Sequence, residues 1–435
     1  MTICVPDMGS DNGWYNVLPP VPSQKVSKNL KADWVVLGAG VTGLATVRRL
    51  AQHFPESRIL LVEAEHVGSG NSGRNSGFVL HCWFMGKHGY GQDRQILDRE
   101  VRLNAHGANR LRQLVSDHKI QCQWHEFGML WAGAGKLGDQ GVIDRVRDFE
   151  YLDQDSRLLD SSEMKRITGT HFYSSGVLAK GTALMQPALL CRGLMNALPM
   201  NVEVYEETPV TRIHGNNPVC LTTPDGTIET GGLVMCTNAF SPDLGFGRNR
   251  IVAGSTYASL TRCLTEAEVQ QVGEDGPWGV LPGVMGGSTV RLTSDNRILM
   301  RNGFSHLPNK RFRPETLSEM RAQHYESIRK RWPELEHVEI ANTWGGVIGG
   351  TRNRGHIFGK LREGIWGSIA CNGANISRGT TAGELLADLI AGVDSDLLKD
   401  QLAIPKPSWL PPEPILSFFV RQRSKKMSTA GLAER

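Results

Sequence analysis

The segment DWVVLGAGVTGLATVRRLAQHFPESRILLVEA, residues 33–64, constrains the fold more than any other part of the chain. Its apolar run WVVLG is typical of a strand buried on both faces, and RILLVEA predicts a second one. Between them lie a G-x-G-x-x-G turn and a stretch with helical spacing, and Glu63 follows the last of these glycines by 20 residues. Such a turn lets the backbone approach a pyrophosphate, while the carboxylate binds a ribose. The segment predicts an α/β fold that binds a dinucleotide through Gly38, Gly40, Val41, Thr42, Gly43, Glu63 and Ala64.

A loop almost without side chains, GSGNSGRNSGF at residues 68–78, follows the second predicted strand. Glycine is costly to order, so the loop is either a flexible surface segment or a backbone that approaches a large ligand. It leaves the carboxyl edge of the predicted sheet, where ligands of such folds bind. A broad, flat ring system fits there, which favours FAD over NAD. The cofactor contacts predicted in this loop are Ser72, Gly73, Arg74, Asn75, Ser76 and Gly77.

Length, charge and cysteine content limit the remaining alternatives. The 435 residues suggest two or three domains, and a net charge of +4 does not indicate a nucleic-acid partner. The eight cysteines are scattered without a C-x-x-C pair, so we expect neither a metal site nor a disulfide framework. That pattern favours a reducing, cytoplasmic setting. No apolar run approaches the roughly 18 residues that would span a membrane.

A second glycine pattern occurs at Gly133, Gly135 and Gly138, after the short run GMLW. As a nucleotide site it would indicate an NAD(P)H-dependent flavin monooxygenase. The segment that should supply the next buried strand, DSRLLDSSEM, is short and polar, and Asp160 and Glu163 have the spacing of a capping box. We therefore predict a strand, a turn and a helix here without a nucleotide.

Three segments together resemble the D-amino-acid-oxidase-type family of FAD-dependent oxidoreductases. They are DWVVLGAGVTGLATVRRL, LLVEAEHVGSGNSGRNSGF and WGGVIGGTRNRGHIFGKL, and they are most similar to its γ-glutamylputrescine oxidase and L-pipecolate oxidase-like branch. The resemblance implies an α/β fold, with an FAD-binding Rossmann-like domain of the glutathione-reductase type and an α+β substrate domain built on an antiparallel sheet. The matching positions are Ser72-Gly73-Arg74-Asn75-x-Gly77, Trp344-Gly345-Gly346, Asn353-Arg354 and Phe358-Gly359.

The resemblance and the strand pattern together divide the chain into domains. An N-terminal extension, residues 1–32, precedes a discontinuous FAD-binding domain at 33–104, 181–245 and 341–402. Residues 105–180 and 246–340 form the expected substrate domain, and 403–435 form a C-terminal tail.

Further cofactor contacts are implied by the resemblance. Val210 would meet the adenine through its backbone, and Thr237 and Asn238 would lie near the phosphates. The segment GANISRGT starts a long predicted helix, whose exposed N–H groups can stabilise negative charge on a reduced flavin. Its part GANISRG is one residue longer than the G-x-S-G-H-G form of the family and contains Arg378, which makes the family's substrates less transferable. The contacts expected from the C-terminal segments are Gly345, Gly373, Arg378, Gly379 and Thr380.

The candidate substrate and catalytic side chains are Arg74, Tyr257, Arg291, Trp344 and Arg378. Arg74 has two equally weighted interpretations, a place beside the flavin or substrate and a structural role in its own loop. For Arg291 a structural role at the turn Asp295-Asn296 is favoured over substrate binding, because isolated strand arginines are usually solvated or paired.

The resemblance implies oxidation of the C–N bond of an amine or amino acid to an imine by hydride transfer to flavin N5. L-pipecolate is the leading substrate, a γ-glutamylputrescine-type amine is the alternative, and a non-catalytic FAD-binding subunit is the alternative from another class. The sequence has no convincing His/Asp or Cys/His pair, which fits chemistry without a strong general base. We expect non-covalent FAD, because WGGVIGGT contains no cysteine or histidine, and oxygen or a quinone as the electron acceptor.

The C-terminal tail contains PPEPILSFFVRQRSKKM, an apolar run followed by four basic residues. One interpretation places residues 415–427 on an anionic membrane surface, at the inner face of the membrane, where a quinone would accept the electrons. The other, favoured by composition, is a helix packed on its own domain with a disordered basic end.

Overall fold

The first predicted strand forms β1, Leu30–Leu37, inside an eight-stranded sheet. The computed structural model, which describes residues 6–435 except 7, 10, 21, 83–92, 275, 371 and 374, places a parallel strand on each side of it. These are β2, Ile59–Val62, whose four residues are all buried, and β11, Gly226–Met235. The other strands of this sheet are β8 (Val202–Tyr205), β9 (Arg212–His214), β10 (Val219–Thr223), β17 (Ile357–Arg362) and β18 (Ile365–Ile369).

Closely packed helices cover one face of this sheet. A Cβ added at Gly383 would strike the carbonyl oxygen of Thr42, and one at Gly107 would strike that of Ser377. A Cβ at Gly379 would lie 2.9 Å from Val41 Cγ2. The helices that begin at Val41 and at Ile376 therefore start side by side. Glycine at these positions permits the close approach. The helices of this layer are α2 (Val41–His53), α3 (Arg94–Asp117), α6 (Pro187–Asn196) and α9 (Ile376–Ala391).

A second eight-stranded sheet forms the other half of the fold, and one pair of its strands is parallel while the rest are antiparallel. The antiparallel sheet implied by the resemblance is thus confirmed. In spatial order its strands are β16 (Ile340–Gly350), β12 (Val252–Thr261), β15 (Ile298–His306), β14 (Thr289–Leu292), β13 (Trp278–Pro282), β4 (Met129–Gly133), β6 (Ser175–Ala179) and β5 (Ser156–Leu159). A separate ladder joins β3 (Phe78–Val79) to β7 (Ala183–Leu184).

Helix α8, Pro314–Arg331, packs on the second sheet. Trp332, which follows it, is fully buried and lies 6.1 Å from the ring of Trp278 on β13. The remaining helices are α1 (Gly13–Asn16), α4 (Gly135–Tyr151), α5 (Ser161–Thr168), α7 (Glu266–Val269), α10 (Asp396–Leu402) and α11 (Ile415–Ala430).

The second glycine pattern forms a strand, a turn and a helix, as predicted, because β4 ends at Gly133 and α4 begins at Gly135. A carboxylate of the chain itself lies at the start of this helix. Glu434 accepts the N–H of Ala134 at 3.3 Å and that of Val284 at 2.8 Å. The anion-binding property of a helix start thus serves to dock the C-terminal end of the chain. The predicted capping box is also present at the start of α5.

The domain boundaries stay a prediction, and two elements extend across them. Helix α3 continues past residue 104 to Asp117 and packs on α9. Strand β16 continues past residue 341 to Gly350 and pairs with β12 along its length. The N-terminal extension contributes Trp14, which is buried against Trp344 at a ring distance of 6.4 Å.

The contact between α2 and α9 generates a stability prediction. Replacing Gly383 with Val forces two β-branch methyl groups against the carbonyl of Thr42, so the helices must separate. We expect Gly383→Val to lower the free energy of unfolding by about 1–3 kcal/mol, as measured by denaturant titration. Gly231→Ala is the control, because Gly231 is exposed and its nearest atom would be 3.5 Å from the new Cβ. Equal stability of Gly383→Val and the parent protein would contradict the packing described.

Candidate active site

A cavity of about 710 Å³ lies between the two sheets. Its walls come from the turn after β1, the start of α2, the loop at residues 68–78, the strands β12 and β16, and the start of α9. The cavity therefore lies where the carboxyl ends of parallel strands face the second sheet. Ligands bind at this location in open α/β folds.

One end of the cavity has the features of a dinucleotide site. Gly38 has a φ of +100°, and a Cβ at Gly43 would strike its carbonyl oxygen. The Glu63 carboxylate accepts the N–H of Ala39 at 2.7 Å and that of Glu65 at 3.2 Å, and burial raises the pKa of Glu63. The first N–H groups of α2 have no partner within the helix and face the same space. A glycine turn, a helix start and a fixed carboxylate on one wall fit a dinucleotide cofactor.

The loop at residues 68–78 closes over this turn. The N–H of Val41 donates to Ser72 Oγ at 3.0 Å, and a Cβ at Gly40 would lie 2.8 Å from the same oxygen. Asn75 binds its own loop, because its Oδ1 accepts the N–H of Gly77 at 2.8 Å. In the structure the backbone of this loop lies against the cavity and does not form a free surface segment.

The cofactor residues proposed from the sequence divide into a lining set and a supporting set. The supporting set lies behind the wall, where glycines allow backbones to approach closely. It consists of Gly43, Gly73, Gly77, Gly345 and Thr380. The lining set consists of Gly38, Gly40, Val41, Thr42, Glu63, Ala64, Ser72, Arg74, Asn75, Ser76, Val210, Thr237, Asn238, Gly373, Arg378 and Gly379.

Arg74 holds three backbone segments together. Its Nε donates to the carbonyl of Ser69 at 2.6 Å, its Nη1 to that of Gly345 at 3.2 Å and its Nη2 to that of Gly9 at 2.8 Å. The indole Nε1 of Trp344 donates to the carbonyl of Arg74 itself at 3.0 Å. The buried guanidinium therefore ties its loop to its neighbours, which corresponds to the structural one of its two interpretations.

Arg291 and Trp344 lie behind the cavity rather than in its lining. Arg291 Nη1 donates to the carbonyls of Met185 at 2.6 Å and Gly77 at 3.1 Å. Burial lowers the pKa of Arg291 to about 9. It does not bond the turn at Asp295-Asn296, where Arg297 takes that place with an Nε–Oδ2 distance of 3.0 Å to Asp295. Arg291 thus has a structural role in a different place from the one expected.

Tyr257 and Arg378 both line the cavity. The hydroxyl of Tyr257 hydrogen-bonds to that of Ser305. The guanidinium of Arg378 lies 3.4 Å from the Glu100 carboxylate and donates to Gln401 Oε1 at 3.0 Å. The cation at the start of α9 is therefore already paired.

Three lining arginines, Arg99, Arg301 and Arg354, were given no role from the sequence. Arg301 on β15 donates from Nη2 to Thr289 Oγ1 at 2.8 Å, while its buried Nε has no partner among the described residues. Arg354 lies in the loop between β16 and β17. Arg301 follows directly after the buried apolar residues 298–300. This position was the sequence signal that could have identified it. Arg354 was identified as part of a motif, without a role.

The lining residues His356 and Cys236 carry no charge at physiological pH. His356 Nδ1 lies 2.9 Å from Gln401 Nε2, and its Nε2 lies 3.2 Å from Ser368 Oγ. Burial, helped by Arg378, lowers the pKa of His356 to about 3, so the ring is neutral at physiological pH. Burial raises the pKa of the Cys236 thiol to about 12. Within the described ranges, no group of three or more His, Cys, Asp or Glu side chains could hold a metal ion.

Comparison with known proteins identifies a family and several relatives. The family model described as FAD dependent oxidoreductase matches residues 33–389. Gamma-glutamylputrescine oxidoreductase of Escherichia coli K12 is 23% identical over 392 residues, which cover 85% of this chain and 86% of that protein. The probable oxidoreductase OrdL of Rhizobium meliloti is 24% identical over 425 residues, covering 90% and 91% of the two chains. Among solved structures, glycine oxidase from Geobacillus kaustophilus superposes with a TM-score of 0.68 at 17% identity, covering 84% of this chain and 96% of that one.

Proposed function

This chain belongs to the family of FAD-dependent oxidoreductases and acts on amines or amino acids, and we propose that it oxidises the C–N bond of an amino acid whose carboxylate binds Arg301. The observation that carries the proposal is the guanidinium of Arg301, which lies in the cavity wall without an ion pair in the described part of the chain. Leaving a buried charge unpaired costs several kcal/mol, whereas a carboxylate can bind a guanidinium through two parallel hydrogen bonds. An anionic substrate group therefore suits this position.

When bound, FAD would supply a hydride acceptor for the carbon next to nitrogen, so that the amine would be oxidised to an imine. The chain's own residues prepare the amine. Positive charge on Arg301, which has no ion pair among the described residues, favours the uncharged form of the amine. His356 stays neutral and does not take up the proton of the amine. The first N–H groups of α9, beside Gly379, can stabilise negative charge at the reacting end of the cavity.

L-pipecolate is the substrate that we propose first, because its secondary amine and single carboxylate match this arrangement. A γ-glutamylputrescine-type amine is the alternative, supported by the name of the Escherichia coli relative. A non-catalytic FAD-binding subunit is the rival from another class. The cavity argues against that rival, because a subunit without turnover has no need of an arginine without an ion pair in the cavity wall.

Anaerobic reduction of the flavin tests the proposal. We expect the flavin absorption to bleach with one member of a panel of L- and D-pipecolate, L-proline, sarcosine and γ-glutamylputrescine. Arg301→Met removes a charge-assisted hydrogen bond of about 1.5–3 kcal/mol, so kcat/KM should fall about 10- to 150-fold, mainly through KM, at unchanged FAD content.

Arg212→Met is the matched control, because Arg212 is exposed on β9 outside the cavity. If no amine bleaches the flavin, the rival without turnover gains support. If Arg301→Met keeps its kcat/KM, the carboxylate binds elsewhere.

FAD is held without a covalent bond in our proposal. The lining residues that could attach it are Cys236, whose thiol stays protonated, and His356, whose two nitrogens both have hydrogen-bond partners. Cys371 lies outside the described residues. Acid precipitation should release the flavin into the supernatant, as measured by absorbance near 450 nm or by fluorescence. A yellow pellet with a clear supernatant would show a covalent bond instead.

Helix α11 leads us to propose contact with an anionic membrane surface and a quinone as acceptor, with oxygen as the alternative. None of the helices within the described residues is long and apolar enough to cross a membrane. On the inward side of α11, Ser417 Oγ lies 3.2 Å from His306 Nδ1 of β15. On the outward side, Phe418 and Phe419 are each 58% exposed. Exposed basic residues follow them: Arg421, Arg423, Lys425 and Lys426.

This arrangement combines the two interpretations of the tail, because α11 packs on its own domain and still presents aromatic rings and positive charge to solvent. Aromatic rings enter the headgroup layer, and basic residues bind anionic lipids with about 1 kcal/mol each. The six described free thiols, among them Cys82, Cys191 and Cys263, agree with a reducing compartment, so we place the protein at the cytoplasmic side.

Flotation of the full-length protein tests this contact. We expect it to float with vesicles that contain phosphatidylglycerol and to float less with neutral vesicles. Phe418→Ser with Phe419→Ser should lower the bound fraction at least tenfold, because buried aromatic area is lost. Leu402→Ser, which changes an exposed apolar residue outside α11, is the control. If the parent protein stays at the bottom of the gradient, α11 does not bind lipid and oxygen becomes the favoured acceptor.

A further inference from the structure

The cavity carries several cations at some distance from the dinucleotide end. Among its lining acids, Glu63 and Glu65 belong to that end, and Asp243 pairs with Lys310 at 2.6 Å. Glu100 is the acid that remains to balance the arginines of this region. The arginines are Arg99 on α3, Arg301 on β15, Arg354 in the loop between β16 and β17, and Arg378 on α9.

Two of these four guanidinium groups have a counter-ion. Arg378 lies 3.4 Å from Glu100, and Arg99 lies 3.7 Å from Asp400. Arg301 and Arg354 form no ion pair with the described residues. Burial lowers the pKa of both. For Arg354 the nearby Arg423 lowers the pKa further, while the Glu100 carboxylate raises it without forming an ion pair. Two guanidinium groups that line one cavity therefore lack an ion pair among the described residues, that of Arg301 partly buried and that of Arg354 exposed to solvent.

The turn that carries Arg354 is held without help from its guanidinium. Asn353 Oδ1 accepts the N–H of Ser408 at 2.9 Å, and Asn353 Nδ2 donates to the carbonyl of Lys406 at 2.9 Å. Arg354 itself has a φ of +58°, a conformation that persists in non-glycine residues where the surroundings fix it. In contrast to Arg74, which holds its own loop together, Arg354 contributes no side-chain bond to its turn.

The strands that lead to the two arginines pair with different parts of β12. Arg301 pairs with Ala258, whereas Gly350, where the strand before the Arg354 turn ends, pairs with Val252. The two positions on β12 are six residues apart, which corresponds to about 20 Å along the strand. The glycine turn after β1, which suits the pyrophosphate, is a third location. A single carboxylate at Arg301 therefore leaves Arg354 without an anion.

On the basis of the proposed function, we infer that the substrate is an extended amine with an anionic group at each end, one bound by Arg301 and the other by Arg354. N-(ω-carboxyalkyl) amino acids have this chemistry, with the secondary amine between two carboxylates. Such a substrate gives each unpaired guanidinium a partner and leaves the paired Arg378 as it is. The inference places a dianionic amine ahead of L-pipecolate, which carries one carboxylate.

The test uses pairs of N-substituted glycines that differ only in their terminal group, such as N-butylglycine and N-(3-carboxypropyl)glycine, together with longer homologues. We expect the terminal carboxylate to raise kcat/KM at least tenfold at one chain length. In Arg354→Gln this preference should fall to about one. In Arg352→Gln, which changes a second exposed arginine of the same turn that lies outside the cavity lining, the preference should remain.

Equilibrium binding gives a second readout that does not depend on turnover. Adipate and longer diacids should perturb the flavin absorption of the holoprotein at concentrations at least tenfold below those of the monoacids of equal length, such as hexanoate. Arg354→Gln should remove this difference as well. The FAD content of each variant is measured alongside.

The outcomes separate this inference from the proposed function. Bleaching by both members of each pair at equal kcat/KM would keep amine oxidation and overturn the dianionic substrate. Loss of FAD from Arg354→Gln would also overturn it, because Arg354 would then be a cofactor ligand. Absence of bleaching by every amine, with diacid binding that depends on Arg354, would contradict the oxidation and support the two-anion site.

Discussion

The cavity depends on one buried guanidinium. Arg74 donates to carbonyls of its own loop, of β16 and of the N-terminal extension, at Ser69, Gly345 and Gly9. A buried charge without partners would cost several kcal/mol, so these bonds hold the three segments in place. Through them the loop that walls the dinucleotide end is joined to the second sheet. The spacing between the two sheets, and with it the shape of the cavity, follows from this connection.

The arginines around the cavity differ in what surrounds them, not in their chemistry. Arg74 and Arg291 are enclosed by backbone carbonyls and act as structural ties. Arg301 and Arg354 face the cavity and meet no carboxylate of the described chain. Arg74 donates through three of its nitrogens, whereas Arg291 donates through Nη1 alone and lies outside the cavity lining. An unpaired guanidinium in the cavity wall lowers the free energy of an anionic ligand. Arg301 and Arg354, which have no ion pair among the described residues, thus add positive charge to a cavity that the paired Arg99 and Arg378 also line.

A glycine turn followed by a helix start occurs twice in this chain, and the two occurrences have different structural roles. After β1 the glycine turn and the start of α2 face the cavity, with Glu63 fixed beside them. After β4 a similar glycine turn precedes α4, and the carboxylate of Glu434 binds there. A helix start stabilises any anion that can reach it. In the second case the anion is part of the chain, and the motif docks the C-terminal end beside α11.

The sequence by itself determined the secondary-structure elements that depend only on residues near one another in the chain. The first strand, its glycine turn, α2 and Glu63 all follow from residues 33–64, and the turn before α4 and the capping box at α5 are equally local. Family membership and FAD followed from motifs of the same kind.

Tertiary structure alone decided the role of each arginine. The bond of Arg74 to Gly345 spans 271 residues and that of Arg291 to Met185 spans 106, so no local pattern indicates which guanidinium meets a carbonyl. Arg301 and Arg354 went unassigned for the same reason, since being unpaired is a property of everything that surrounds a side chain. For α11 the sequence left two alternatives, and only packing against β15 decided that Phe418 and Phe419 face outward. Local conformation is set by neighbours in the chain, whereas charge pairing and burial are set by neighbours in space.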